Sequence, residues 1–306
     1  MRILVTGGAG FIGSHVVDAY VSARHQVTVV DNLVSGNVKS LNRRARFVKA
    51  DVRKKEMERV FKFGRFDVVN HLAAQIDVRS SVKNPVFDAD VNILGLLNVL
   101  ELSRKSRVKK IIFSASGGTY YGECVRPARE TDLPRPLSPY GISKLASEFY
   151  LRAYRSLHSL PFTVLRYGNV YGPRQDPPGE AGVVAIFCQR LLAGTPVSIY
   201  GTGKQQRDYV FVSDVAQANL AALSRGEGES INIGTGRAAD VNRLFEILRS
   251  FHPAKSTFER KPARPGELFR SVLHVSKAAR VLGWKARVSL KDGLAETYRY
   301  IAAQTQ

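Results

Sequence analysis

The chain has 306 residues, of which 44% are hydrophobic and 24% are charged, as in ordinary globular proteins with a large core. No apolar run approaches the ~20 residues that span a bilayer, and Cys124 and Cys188 lack metal-ligand spacing, so we expect a cytoplasmic protein without a membrane partner or a metal site. The 46 basic and 26 acidic residues give a net charge of +20, but the basic residues are dispersed and no nucleic-acid-binding module accompanies them, which predicts a cationic surface and no nucleic-acid partner.

Residues 1 to 32 have the pattern of a dinucleotide-binding βαβ unit: a strand, a glycine-rich turn, a helix and a second strand. In such a unit Gly7 allows a tight turn, Gly10 lets the backbone approach a pyrophosphate, and Gly13 lets the helix pack closely on the strand. Asp31 follows the second strand, where a carboxylate can bind the ribose hydroxyls of adenosine and would repel the 2′-phosphate of NADP. The stretch therefore predicts a Rossmann-type site for NAD.

Short apolar strands and amphipathic helices continue to alternate up to residue 167. The predicted strands cover residues 2–6, 26–30, 45–50, 67–74, 110–114 and 162–166, and the predicted helices include 54–63 and 85–104. Because strands that alternate with helices form parallel sheets, the fold class is α/β, a Rossmann-type doubly wound parallel sheet. Open parallel sheets bind cofactors at the carboxyl ends of their strands, where this chain has Asp51, Ala73, Ala74 and the segment Ser114 to Gly122.

The pattern changes beyond residue 170. A loop rich in proline and glycine covers residues 175–182, and helices are predicted at 183–194, 213–225, 240–251 and 289–303, separated by short strands. We predict an NAD-binding domain over residues 1–170 and a smaller C-terminal α/β domain for the substrate over residues 171–306. The boundary is soft, because a chain of this kind can cross back and add strands to the first sheet.

Tyr140 and Lys144 begin a predicted helix, and a spacing of four residues puts both side chains on one helical face. The phenol of tyrosine titrates near ~10, and a neighbouring ammonium lowers its pKa and favours the phenolate, which is a base. Ser116, just after the strand over residues 110–114, can donate a hydrogen bond that aligns a substrate alcohol with Tyr140. With a nicotinamide as hydride acceptor, these three residues form a site that oxidises a secondary alcohol.

The motifs together resemble those of the extended short-chain dehydrogenase/reductases, and within them the NAD-dependent nucleotide-sugar epimerases typified by UDP-glucose/UDP-galactose 4-epimerase. The resemblance covers nearly the whole chain and depends on the segments 6–13, 31–32, 51–52, 72–74, 114–122, 140–144, 166–172, 207–214 and 264–267. It implies an enzyme that epimerises a UDP-sugar at C4 through a transient 4-keto intermediate and keeps NAD bound. It also implies a homodimer through the helices near 88–104 and 140–157.

The resemblance implies roles for individual residues. The catalytic residues would be Tyr140 as the base, Lys144, which holds the nicotinamide ribose and lowers the pKa of the tyrosine, and Ser116. The implied NAD-binding residues are Gly7, Gly10, Phe11, Ile12, Gly13, Asp31, Asn32, Asp51, Val52, Leu72, Ala73, Ala74, Ser114, Tyr140, Lys144 and Tyr167. The implied substrate-binding residues are Ser116, Gly117, Tyr140, Asn169, Arg207, Arg264 and Ser271.

The same resemblance implies that three of these residues bind the diphosphate of the substrate. Asn169 resembles the family's diphosphate ligand, and Arg207 and Arg264 resemble its phosphate-binding arginines. Two cations suit a diphosphate of charge about −2, because each arginine can bind two phosphate oxygens at once. Tyr209 and Asp214, which lie close to Arg207 in the sequence, are expected to be packing and capping residues.

Other reactions of the same family stay open. The 4,6-dehydratases follow the catalytic residue with an Asp-Glu pair, whereas Ser116 is followed here by Gly117 and Gly118, which argues for epimerisation. UDP-glucuronate epimerases and decarboxylases are not excluded, because so basic a protein can bind a carboxylate. Ser271 stands where a bulky residue narrows the sugar pocket of strict glucose/galactose epimerases, so acceptance of N-acetylated sugars is a further hypothesis. A non-catalytic NAD-binding sensor or RNA-associated protein is disfavoured by the intact catalytic residues.

Overall fold

The computed structural model describes residues 1–175, 182–251, 256–264 and 266–305. Within them, one central sheet consists of parallel strands: β1 (Arg2–Thr6), β2 (Gln26–Asp31), β3 (Arg46–Lys49), β4 (Val68–His71), β5 (Lys110–Ser116), β6 (Phe162–Tyr167) and β11 (Glu229–Ile233). Their order across the sheet is β3-β2-β1-β4-β5-β6-β11. The order reverses beside β1, as in doubly wound dinucleotide-binding sheets, so the predicted Rossmann-type α/β fold is confirmed.

Helices of the first 170 residues lie on both faces of this sheet. They are α1 (Phe11–Ser22), α2 (Glu56–Gly64), α3 (Val78–Lys83), α4 (Pro85–Ala89), α5 (Gly95–Lys105), α6 (Gly117–Tyr120) and α7 (Pro139–His158), with a 3₁₀ turn over Val38–Ser40 and a π-helical turn over Asp90–Leu94. The single helix predicted over residues 85–104 thus divides into α4, the π-helical turn and α5. Helices α3 and α6 were not predicted.

The C-terminal part adds shorter elements. Its helices are α8 (Val183–Leu192), α9 (Val212–Ala222), α10 (Val241–Arg249), α11 (Ser276–Leu282) and α12 (Leu290–Thr305), and its strands are β7 (Asn169–Tyr171), β8 (Val197–Tyr200), β9 (Gln206–Arg207), β10 (Tyr209–Phe211), β12 (Ala239–Asp240), β13 (Phe258–Lys261) and β14 (Arg270–Ser271). All four helices predicted here are confirmed, whereas α11 was missed. Residues 176–181 of the predicted loop lie outside the described residues. None of the described helices is long and apolar enough to cross a membrane.

The chain crosses back to the first sheet after residue 170. Strand β11 pairs with β6, and α9 packs against α1, so both contribute to the nucleotide-binding fold. The remaining C-terminal strands form three small sheets, β7 with β10, β9 with β12 and β14, and β8 with β13, among the described residues. The soft boundary predicted from the sequence allowed for such a return of the chain to the first sheet. The division into two domains at residue 170 stays a prediction.

The inner strands of the central sheet are rich in buried apolar residues because helices cover both of its faces. In β1, Ile3 and Val5 belong to the core on one face and Leu4 to the core on the other, and all three are fully buried. A separate core joins the C-terminal elements through side chains such as Phe187 and Phe245. Sheet and C-terminal core meet at the carboxyl ends of the strands, which leaves a cleft at that edge.

Candidate active site

A cavity of about 830 Å³ occupies this cleft, between the carboxyl ends of the central strands and the C-terminal strands β8 and β9. Every residue predicted to bind the dinucleotide lines it. The predicted substrate-binding residues that line it are Ser116, Tyr140, Asn169, Arg207 and Arg264. The structure therefore brings both predicted groups together in one space.

Gly117 and Ser271 are the described residues of the predicted set that do not line the cavity. Both are buried behind its wall. The Ser271 hydroxyl donates to the carbonyl of Gly118 at 3.4 Å, and a Cβ atom at Gly117 would lie 2.8 Å from the side chain of Leu273. The substrate roles of these two residues stay predictions.

The glycine turn, residues 7 to 13, brings backbone to the wall of the cavity. Gly7 has φ +70°, and a Cβ atom there would lie 2.5 Å from the Ala73 backbone nitrogen. A Cβ atom at Gly13 would lie 2.1 Å from the Gly7 carbonyl oxygen, so the helix packs on the strand through this glycine. At Gly10 a Cβ atom would meet only that same carbonyl oxygen, at 3.4 Å. Gly10 thus leaves space in front of the backbone where a diphosphate fits.

Helix α1 begins at Phe11, directly after Gly10, and its first turn lines the cavity. The first N–H groups of a helix have no acceptor within the helix, and they carry the positive end of its dipole. No side chain caps this helix end among the described residues. Backbone donors and the positive end of the helix dipole therefore face the cavity, which is the arrangement that binds the pyrophosphate of a dinucleotide.

Asp31 is held rigidly at the end of β2. Its two carboxylate oxygens accept the backbone N–H groups of Ala9, at 3.0 Å, and Leu33, at 2.8 Å. The side chain is buried against the glycine turn and still lines the cavity. A fixed carboxylate beside the anion-binding turn is suited to the two hydroxyls of an adenosine ribose, as predicted from its sequence position.

Asp51 lies farther along the same wall and carries a partner that the sequence did not reveal. The Arg53 guanidinium donates to both carboxylate oxygens of Asp51, at 2.9 and 2.7 Å, and also to Asp90 at 2.6 Å. The Arg53 backbone N–H, at 2.9 Å, and the Asn32 side chain, at 3.1 Å, add two further donors to Asp51. The hydrogen bond from Arg53 holds the pKa of Asp51 well below its usual range, so this carboxylate stays ionised.

Helix α7 carries Tyr140 and Lys144, and both line the cavity. Ser138 caps the helix by accepting the Gly141 N–H at 3.2 Å, and Pro139 occupies the first turn, where it suits a helix start. The backbone N–H of Tyr140 donates to the Ser81 hydroxyl at 3.2 Å. The Lys144 ammonium lies 5.8 Å from the centre of the Tyr140 ring, so the two side chains share one face as predicted from their spacing.

Lys144 is almost fully buried, with 4% of its surface exposed. Its ammonium donates to the carbonyl of Ser114 at 3.0 Å and lies 4.8 Å from the centre of the Phe113 ring. Burial lowers the pKa of Lys144 to about 8, and the charge of Asp88 opposes this effect. Burial, together with the Lys144 charge, lowers the pKa of the neighbouring His71 to about 3, so the imidazole is neutral at physiological pH.

Ser116 ends strand β5 opposite Tyr167 of β6, beside the start of α6. Next to it, Ser114 and Tyr167 approach each other at 3.5 Å, and burial raises the pKa of the Tyr167 phenol to about 12. Tyr167 therefore stays protonated at physiological pH. Tyr140, which lines the same cavity as Ser116, is the phenol next to the ammonium.

Charged and aromatic side chains line the far end of the cavity. The Arg264 guanidinium stacks on the ring of Tyr200, 3.7 Å from its centre. Arg207 is 3.7 Å from the Glu267 carboxylate, which also accepts from Gln205 at 3.2 Å. The structure thus puts both predicted phosphate-binding arginines on the cavity, and it adds Tyr200 and Gln205, which sequence reasoning missed.

Asp208 is a further residue that the sequence did not single out. Its buried carboxylate accepts from Thr235 twice, at 2.7 Å, from the Gly236 N–H at 3.0 Å and from the Leu273 N–H at 3.3 Å. Its carbonyl accepts the Asn169 N–H at 2.7 Å. It therefore fixes the backbone on which Asn169 and Arg207 stand. The only sequence signal was its place between Arg207 and Tyr209.

Tyr209 and Asp214 were expected to be packing and capping residues. Tyr209 is buried and packs edge-on against Tyr171, but it also reaches the cavity wall. Asp214 accepts the backbone N–H groups of Arg287 and Val288, both at 3.0 Å. It therefore binds a distant segment rather than the end of its own helix, α9.

A doubly wound sheet and a glycine turn followed by a helix define a Rossmann-type dinucleotide-binding cleft, and a Tyr-Lys pair lies in the same cleft. The chain belongs to the NAD dependent epimerase/dehydratase family, whose sequence model matches residues 3–234. The UDP-glucose 4-epimerase of Mycolicibacterium smegmatis is 41% identical over 313 residues, which cover 100% of both chains.

The chain is also similar to solved structures of this family. The UDP-glucose 4-epimerase of Thermotoga maritima, crystallised with UDP-glucose, superposes with a TM-score of 0.98 at 50% identity over 100% of both chains. The UDP-glucose 4-epimerase of Thermus thermophilus, in complex with NAD, superposes with a TM-score of 0.93 at 44% identity over 98% of both chains. The similarity therefore includes the cofactor part and the C-terminal part of the cleft.

Proposed function

We propose that this protein is an NAD-dependent epimerase that interconverts UDP-glucose and UDP-galactose by inverting C4 of the sugar. The observation that carries the proposal is the position of Tyr140 and Lys144 in the same cavity as the glycine turn and the two arginines. The relatives named UDP-glucose 4-epimerase, similar over the full chain, support the same activity.

The residues present fit NAD. Gly10 and the first turn of α1 would hold the pyrophosphate, the fixed Asp31 carboxylate the adenosine ribose, and Asp51 with Asn32 the side of the adenine. Lys144 would reach the nicotinamide ribose from the other side. Bound there, NAD⁺ supplies a hydride acceptor for the C4 carbon of the sugar.

Tyr140 is the proton acceptor in this proposal. Its phenolate takes the proton of the C4 hydroxyl while Ser116 orients that hydroxyl, and the nearby Lys144 ammonium stabilises the phenolate. The 4-keto sugar then turns over in the cavity, and Tyr140 returns its proton when the opposite face has been reduced. Gly117 and Gly118 follow Ser116, and neither can carry a proton, which favours epimerisation over 4,6-dehydration.

Arg207, Arg264 and Asn169 would bind the diphosphate at the other end of the cavity. Glu267 holds Arg207 at 3.7 Å and Tyr200 holds Arg264 by stacking, so both cations are oriented before the ligand arrives. The Gln205 Oε1 atom is buried without a hydrogen-bond partner among the described residues, which leaves one acceptor for the nucleotide. Removing side-chain freedom in advance lowers the entropy cost of binding.

The test is a panel assay on the purified protein. It is denatured and the supernatant is examined for NAD, while the native protein is incubated with UDP-glucose, UDP-galactose, UDP-N-acetylglucosamine, UDP-glucuronate and dTDP-glucose and followed by NMR. We expect NAD in the supernatant and interconversion of UDP-glucose and UDP-galactose. Bound NAD without turnover of any sugar would instead indicate the non-catalytic sensor.

Ser271 gives a finer version of this proposal, in which N-acetylated sugars are also accepted. Its small side chain lies behind Gly118, and a larger residue there would push on the segment that follows Ser116. We therefore expect Ser271→Tyr to lose turnover of UDP-N-acetylglucosamine while it keeps UDP-galactose. If the native protein turns over only UDP-galactose, this finer proposal is wrong.

We propose that the protein is cytoplasmic and forms a homodimer. Large apolar side chains, each more than half exposed, project from α4, the π-helical turn and α7: Val86, Leu94, Ile142, Phe149 and Leu157. Such a patch is typical of a protein interface. Light scattering should give twice the chain mass, and Phe149→Glu should give the monomer, whereas the distant surface substitution Lys285→Glu should leave the mass unchanged.

A further inference from the structure

Asp88, on helix α4, is a fully buried carboxylate next to the catalytic helix. One of its oxygens accepts from the Ser143 hydroxyl at 2.6 Å, and the other accepts from the amides of Gln75 and Asn92, both at 3.0 Å. Among the described residues no basic side chain forms an ion pair with it. A buried charge without a direct counter-ion is costly, and here three hydrogen bonds offset part of that cost.

The partners of Asp88 come from three segments that meet at the site. Gln75 belongs to the loop after β4 and lines the cavity. Asn92 belongs to the π-helical turn. Its side-chain amide accepts the backbone N–H of Gln75 at 2.9 Å and donates to the backbone carbonyl of Gln75 at 3.0 Å. Ser143 lies on α7 between Tyr140 and Lys144. π-Helical turns occur often at functional sites, and this one directs Asn92 toward the buried carboxylate.

The charge of Asp88 acts on Lys144, which has few other charged neighbours. Tyr140 faces the ammonium from its own helix, His71 from β4, and Tyr167 from β6 through Ser114. The pKa values of His71 and Tyr167 are shifted so that both stay neutral at physiological pH. Burial lowers the pKa of Lys144, and the charge of Asp88 is the effect that raises it.

We propose that Asp88 is a positioning residue that orients α7 through Ser143 and supplies the negative charge that keeps Lys144 in its ammonium form. The inference deepens the proposed function and rests on it, since the ammonium is what stabilises the Tyr140 phenolate. Asp88 does not line the cavity, whereas Gln75, Tyr140 and Lys144 do, so it acts through Lys144. Without this charge, the buried lysine loses its proton at a lower pH.

The experiment measures the protonation of Lys144 directly, in the NAD-containing protein as purified. Nitrogen-15 NMR of the lysine side chains, with Lys144 assigned by its absence in Lys144→Met, gives the pKa of this group. Asp88→Asn keeps the size of the side chain and removes the charge. We expect the pKa of Lys144 to fall by about one unit or more. Glu246→Gln, which removes a charge from the exposed Glu246–Arg249 ion pair on α10, is the matched control and should cause no shift.

Turnover provides a second and independent readout. Removing a negative charge makes both Tyr140 and Lys144 release protons more easily, so both limbs of the pH profile of kcat move to lower pH in Asp88→Asn. Asp88→Glu should restore the native profile. A uniform fall in kcat with an unshifted profile and an unshifted Lys144 pKa would show that Asp88 only supports the fold, and would overturn the proposal.

Two further outcomes are distinguishable. If Asp88→Asn does not fold, Asp88→Ser removes the same charge and leaves room for a water molecule, and the same pKa shift is expected. If the native protein lacks epimerase activity, the proposed function fails, whereas the NMR measurement still decides whether Asp88 controls Lys144.

Discussion

The cofactor half and the substrate half of the cleft are built in opposite ways. In the cofactor half, one continuous turn over residues 7–13 provides backbone groups, and added atoms at Gly7 or Gly13 would overlap neighbouring backbone. In the substrate half, side chains from separate segments converge: Asn169, Tyr200, Gln205, Arg207 and Arg264. One half therefore depends on close backbone approach, and the other on the reach and orientation of side chains.

This difference predicts how each half responds to substitution. A change at Gly7 or Gly13 in the turn alters backbone packing and affects folding and cofactor binding together. A change among the converging side chains removes one ligand contact and leaves the fold in place. Tyr140 and Lys144 lie where the halves meet, so substitutions there should separate chemistry from binding.

The largest effect is expected from Gly13→Ala in the glycine turn. The new Cβ atom would lie 2.1 Å from the Gly7 carbonyl oxygen, and neither backbone segment can move without displacing α1 from β1. Overpacking of this kind costs about 3 kcal/mol or more. We expect little folded protein and no bound NAD. The measurement is soluble yield with thermal unfolding.

Gly10→Ala is the matched control for that prediction. Its Cβ atom would meet only the Gly7 carbonyl oxygen, at 3.4 Å, and Gly10 has the extended backbone that alanine also adopts. The variant should fold normally and lose NAD, because the methyl group occupies the space for the diphosphate. Equal losses of fold in the two variants would contradict the assignment of the turn.

Tyr140→Phe should have the next largest effect, and only on chemistry. Removing the proton acceptor lowers turnover by about 10³-fold, within the range of general acid–base catalysis. The cofactor contacts of the turn are unaffected, so NAD should still appear in the supernatant of denatured protein. Tyr300→Phe, a tyrosine of the C-terminal core, serves as the control. Unchanged turnover would remove Tyr140 from the mechanism.

Arg207→Ala tests the substrate half. The substitution removes a cation that Glu267 orients, while the backbone at this point remains fixed by Asp208. We expect KM for the UDP-sugar to rise about 10- to 100-fold, the loss of about 1.5 to 3 kcal/mol for a charged hydrogen bond, with a smaller change in kcat. Arg280→Ala, on the exposed side of α11, should change neither. A fall in kcat alone would place Arg207 at the reaction centre.

The two halves also differed in how far the sequence predicted them. Gly7, Gly10 and Gly13 act through backbone geometry, which local spacing specifies, and the same holds for Tyr140 and Lys144 on one turn of α7. All five line the same cavity, and the parallel doubly wound sheet around them was predicted correctly. The division of the 85–104 helix was not, because a π-helical turn depends on packing around Asn92 rather than on hydrophobic spacing.

Residues whose partners lie far away in the chain could not be predicted. Asp208 accepts from Thr235, Gly236 and Leu273, and Asp88 from Ser143, contacts that no sequence spacing indicates. The same is true of Tyr200 and Gln205, which carry no motif of their own. The substrate half is therefore the part where a structure adds most to the sequence.

Lys144 gives the smallest expected change in stability, and a substitution there should raise stability while it lowers activity. Burial lowers its pKa from 10.5 to about 8 in the folded chain, so the folded state releases this proton at a lower pH than the unfolded state. Below pH 8 the full burial penalty applies, about 3 kcal/mol for the shift, and it fades as the pH rises from 8 to 10.5. Stability supplied by the rest of the fold must offset it at neutral pH.

Lys144→Met should therefore stabilise the protein at pH 7 while it abolishes most turnover. The lost hydrogen bond to Ser114 offsets part of the gain, which leaves about 1 to 2 kcal/mol and a Tm higher by about 2 to 5 °C. The measurement is thermal unfolding after removal of bound nucleotide, since a ligand raises Tm. The gain should disappear by pH 10.5, and the exposed Lys285→Met should show none. A variant with a lower Tm at every pH would mean that the ammonium stabilises the fold, contrary to the cost inferred from its burial.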